Sequence, residues 1–105
     1  MATFDSVWSW LQGNLKPGQE IKNWTAFRGY LGDTMAIAGV RSDYIEVDAP
    51  KASSTQVISK EDFEKVWEVW SAYKGGKLPR YQIRDMTRFS KYIISILNWY
   101  VQELR

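Results

Sequence analysis

The apolar residues of this chain change their period near Ser59, and that change limits the folds open to it. Before it, Ile45, Val47 and Ala49 alternate with Tyr44, Glu46 and Asp48. Alternation makes a strand with one dry face and one wet face. After it, Phe63, Val66, Trp67, Trp70 and Tyr73 recur at helical spacing, which makes one apolar stripe. Strands followed by a run of helices read as α+β: a small antiparallel sheet of two to four strands packed against about four helices, three of them C-terminal. A length of 105 residues fits one core, so residues 1–105 form a single domain.

Local signals place the elements. Thr3 caps a first helix whose stripe is Phe4, Val7, Trp8, Leu11 and Leu15, with an end at Gly13-Asn14 and a turn at Lys16-Pro17-Gly18. Trp10 falls off that stripe as a half-exposed ring. Ile21 to Tyr30 reads as a strand or irregular segment, and Gly32-Asp33 as a turn. Thr34–Val40 and Tyr44–Ala49 read as a hairpin around Arg41-Ser42-Asp43. Pro50 to Ser54 reads as flexible, and Thr55 to Ile58 as a returning strand. Ser59 caps a helix with acids in its first turn, and Gly75-Gly76 ends it. Pro79 opens a short helix to about Met86 with Ile83 and Met86 inward. Ser90 caps the last helix, lined by Tyr92, Ile93, Ile96, Leu97, Tyr100 and Leu104, which reads as the central core element.

Several function classes lose their chemistry. The chain has no His and no Cys. Disulfides, thiolate metal sites and histidine-dependent hydrolysis are therefore excluded. Gly75-Gly76-Lys77 follows a helix instead of preceding one and lacks phosphate-loop spacing. Asp43, Glu46 and Asp48 cluster at the hairpin, but without a calcium-loop pattern, and an exposed strand face is ordinarily polar. Glu20-Ile21-Lys22 has a nuclease-like spacing but comes in the wrong order. A non-enzymatic protein is expected, with no metal and no cofactor. No signal peptide and no membrane span are expected. The lack of Cys fits a reducing cytoplasm.

Charge is the lopsided feature. Residues 1–73 carry seven basic and ten acidic groups, a balance of −3. Residues 74–105 carry seven basic and two acidic groups, a balance of +5. Lys77, Arg80, Arg84, Arg88 and Lys91 make the candidate binding cluster. Arg80 and Arg84 share a helix face, and a short helix, turn and longer helix resemble a helix-turn-helix in outline. Such a cluster draws nucleic acid or an acidic protein. The competing reading pairs these arginines internally with Glu61, Asp62, Glu64 and Glu68.

Two other readings come from the rings, six Trp and six Tyr among them. One is a homodimer or other assembly that buries surplus rings such as Trp8, Trp10, Trp24 and Trp99. The other is a small-ligand pocket lined by Trp24, Trp67, Trp70 and Tyr73. Against the pocket stands ordinary core packing.

Overall fold

Two side-chain caps set the helical register. In the computed structural model, which describes residues 2–50 and 52–105, the Thr3 hydroxyl accepts from the Ser6 amide and starts α1 (Phe4–Asn14). The Ser59 hydroxyl accepts from the Asp62 amide at 3.2 Å and starts α2 (Lys60–Glu68). Between them run four strands, β1 (Glu20–Thr25), β2 (Gly29–Val40), β3 (Tyr44–Asp48) and β4 (Gln56–Ser59). They form an antiparallel meander in the order β1-β2-β3-β4. After α2 come α3 (Trp70–Lys74), α4 (Arg80–Met86) and α5 (Ser90–Glu103). The α+β class therefore holds, with three helices after α2. Met1 and Lys51 lie outside the described residues, so the flexible reading of Pro50 to Ser54 is not described in full.

The sheet buries one face. Ile21, Met35, Ile37, Ile45, Val47 and Ile58 join Val7, Leu11, Phe63, Val66 and the α5 residues Ile93, Ile94, Ile96 and Leu97 in one core. Trp8 belongs to it: its ring lies 5.3 Å from Phe63, and its indole N–H donates to the Ser42 carbonyl at 2.8 Å. That bond ties α1 to the β2–β3 loop. A second polar stitch joins α5 to the sheet. The buried Ser95 hydroxyl accepts from the Trp24 amide at 3.0 Å and lies within hydrogen-bond distance of Asn23 Oδ1 and the Lys91 carbonyl.

The structure corrects five local readings. Ile21 to Tyr30 is not one segment: β1 turns through Ala26-Phe27-Arg28 into β2, and Gly29 takes a positive φ of 72° that L side chains rarely adopt. Gly32-Asp33 is not a turn. Three residues of β2, Leu31 to Asp33, bulge opposite the single residue Asn23, and Gly32 absorbs the bend with φ 95°. The long helix after Ser59 breaks at Val69 (φ −109°, ψ 7°), which gives five helices among the described residues. Ser90 is the first helical residue and does not cap α5; the Thr87 hydroxyl instead accepts from the Phe89 amide at 3.1 Å and donates to Asp62 at 3.2 Å. Leu104 is exposed, because it lies beyond the last buried turn of α5.

Candidate interaction surface

α4 is a seven-residue helix held by buried Ile83, so its other faces point to water. Arg84 and Arg88 are exposed, and Arg80 is half-buried at its start. Lys77 precedes them, exposed in the link from α3. Among the described residues, no carboxylate comes within 4.0 Å of the charged nitrogens of Lys77, Arg80, Arg84 or Arg88. The acids of α2 are occupied or turned outward. Asp62 pairs with Lys65 at 3.6 Å and accepts from Thr87, while Glu61, Glu64 and Glu68 are exposed. Arg88 lies over the Phe89 ring, 5.0 Å from its centroid.

Lys91 stands apart from the other four. It is paired with Asp33 of the β2 bulge at 3.5 Å. Asp33 also accepts from the Asn23 amide group at 2.9 Å, and that bond, with Lys91 beside it, holds the carboxyl below its ordinary value.

The four rings offered as a pocket fill their own space. Trp24 packs on Trp70 at 6.1 Å, Trp70 on Tyr73 at 5.9 Å, and Trp67 on Tyr100 at 6.0 Å. Trp67, Trp70 and Tyr73 are buried and Trp24 is half-buried; of the four, Tyr73 alone lines a cleft. Of the rings offered as an assembly surface, Trp8 is core, whereas Trp10, Trp24 and Trp99 are half-buried, with Trp10 packed on Trp99 and Tyr100, both at 5.2 Å. The large apolar side chains left most in water are different ones: Phe27 is 96% exposed, and Tyr30, Leu31, Val57, Tyr81 and Leu104 are exposed as well.

Beside Tyr73 lies an open cleft of about 570 Å³. One wall is the β1–β2 hairpin, with Phe27, Arg28 and Leu31; the other is the α3–α4 link and the start of α4, with Leu78, Pro79 and Arg80. Its lining is mainly apolar, with a guanidinium on each wall. The Arg80 Nε–H is enclosed and has no acceptor among the described residues. A donor left in that state costs about 1–3 kcal/mol. Sequence reading missed this cleft because its walls lie some fifty residues apart in the chain. Gly29, closing a three-residue loop, is the signal that could have placed Phe27 and Arg28 at a hairpin tip.

Chemistry of other kinds finds little support in the geometry. Among the described residues no three His, Cys, Asp or Glu side chains gather to hold a metal ion, and Glu46 is paired with Arg41. Ser71 and Lys74 have the Ser-x-x-Lys spacing, but both are exposed on the five-residue α3, without the enclosed amine such a pair uses as a base. No described helix is long and apolar enough to cross a membrane. Comparison with protein-family models, with curated proteins and with solved structures gave no significant match.

Proposed function

We propose that the chain is a non-enzymatic contact module that holds an acidic polypeptide against Lys77, Arg80, Arg84 and Arg88. One observation carries this reading: these four cations lie on α4 or in the segments that flank it, with no carboxylate within pairing distance among the described residues. Guanidinium groups left without an internal partner are ready to bind carboxylates from outside. Groove binding to duplex DNA is disfavoured by the second helix of the pair. A recognition helix needs an open face, whereas α5 has eight buried residues and forms the middle of the core. The lack of Cys fits work in a reducing compartment such as the cytoplasm.

The test is binding of a labelled peptide of Asp and Glu, alongside a duplex oligonucleotide, measured by fluorescence anisotropy across a salt series. Replacing Arg80, Arg84 and Arg88 together with Ala is expected to weaken peptide binding about tenfold at low salt. Unchanged peptide affinity in that triple variant would overturn the proposal, as would a clear preference for the duplex.

A further inference from the structure

We propose that the cleft beside Tyr73 is the anchor site for one apolar side chain of that acidic segment, with Arg28 and Arg80 taking carboxylates on either side of it. The inference rests on the partner being acidic; it concerns the cleft that adjoins the open face of α4 and shares Arg80 with it.

Three features of the cleft point to such an occupant. Its volume, about 570 Å³, suits a side chain with its flanking backbone. Its apolar walls are left in water: Phe27 stands 96% exposed at one rim and Leu31 is exposed beside it. Neighbouring apolar side chains left exposed around a cleft are one mark of a contact site. The two guanidinium groups on the walls have no carboxylate within 4.0 Å among the described residues. A carboxylate offers two oxygens to such a fork, which a neutral partner does not.

The aliphatic part of the lining disfavours a nucleobase. Stacking needs aromatic faces; Phe27 offers one at the rim, but Leu31, Leu78 and Pro79 make much of the lining aliphatic. The walls are also fixed in relation to each other, because the Ala26 amide donates to the Tyr73 hydroxyl at 3.0 Å. A site that is already shaped loses less freedom on binding.

The experiment uses the full chain and three labelled probes: a nonapeptide of Asp and Glu with a central Phe, the same peptide with a central Ser, and a single-stranded oligonucleotide of similar length. The Phe peptide is expected to bind about tenfold tighter than the Ser peptide. In the surface variant F27A/L31S that preference is expected to shrink to about twofold or less, while the salt-sensitive binding shared by both peptides persists. If Leu31→Ser disturbs the fold by near-ultraviolet circular dichroism, Phe27→Ala alone carries the comparison. Equal binding of the two peptides by the wild-type chain would overturn the anchor site and leave the α4 reading standing. Binding of neither peptide would overturn both. Tighter binding of the oligonucleotide than of the Phe peptide would overturn the anchor site and name a different class of ligand.

Discussion

The backbone amide of Ala26 donates a hydrogen bond to the hydroxyl of Tyr73, 3.0 Å away and 47 residues on in the chain. That contact joins the β1–β2 hairpin tip to the helical half and sets the width of the cleft between them. Tyr73 is buried, with 3% of its surface exposed, so water does not readily replace its hydroxyl. Tyr73→Phe keeps the ring and removes only the hydroxyl, and with it the acceptor for Ala26. It is expected to cost about 1–2 kcal/mol in urea denaturation, with faster amide exchange at Ala26 and Arg28. Unchanged exchange at the hairpin tip would show that the tether does not hold it.

The start of α5 gives a second contrast. Thr87 is buried and links two elements, since its hydroxyl accepts from Phe89 and donates to Asp62 of α2. Ser90 supplies no capping bond. Thr87→Val is therefore expected to lower stability by about 1–2 kcal/mol. Ser90→Ala places a better helix former inside the first turn and is expected to change stability by less than about 0.5 kcal/mol. Thermal or urea unfolding of the two variants side by side checks the order, and equal losses would contradict it.

Acid titration offers a third. The Asp33 carboxyl lies below its ordinary value of 3.8, chiefly through the bond from Asn23 and then through Lys91. A carboxylate whose folded pKa is depressed adds stability that is complete above its unfolded pKa and is lost as pH falls through the folded one. Because Asp33 is solvent-exposed, the size of that contribution is small and screened. Carbon-13 titration of the side-chain carboxyl is expected to move upward in both Asn23→Ala and Lys91→Met. An unmoved titration in either variant would show that the replaced residue does not hold the carboxyl down.

Much of the fold could be read from local chemistry. Thr3 and Ser59 announce their helices because capping needs only residues within one turn. The β2–β3 hairpin could be read because Ile45 and Val47 alternate with polar neighbours on a sheet that buries one face. The first hairpin could not. Trp24, Phe27 and Tyr30 carry a helical spacing, and that spacing hid the three-residue turn closed by Gly29. The β2 bulge put Gly32 and Asp33, ordinary turn residues, inside a strand. The arginines of α4 could be read as a cluster because four-residue spacing sets a helix face. Lys91 joined them in sequence but is drawn to Asp33, a contact set by tertiary packing. Arg28, Phe27 and Leu31 became candidates only once the hairpin tip was seen facing the α3–α4 link.

The hydrogen bond from Trp24 to Ser95 also bears on how copies of this chain behave when crowded. At one border of the sheet it uses up an outward backbone donor that another strand would need for pairing. The opposite border is β4, only four residues long before it runs into the Ser59 cap. A sheet closed by a helix on one side and cut short on the other gives little template for growth. Fibre formation through these borders should therefore be slow in the folded protein and should require the prior release of α5.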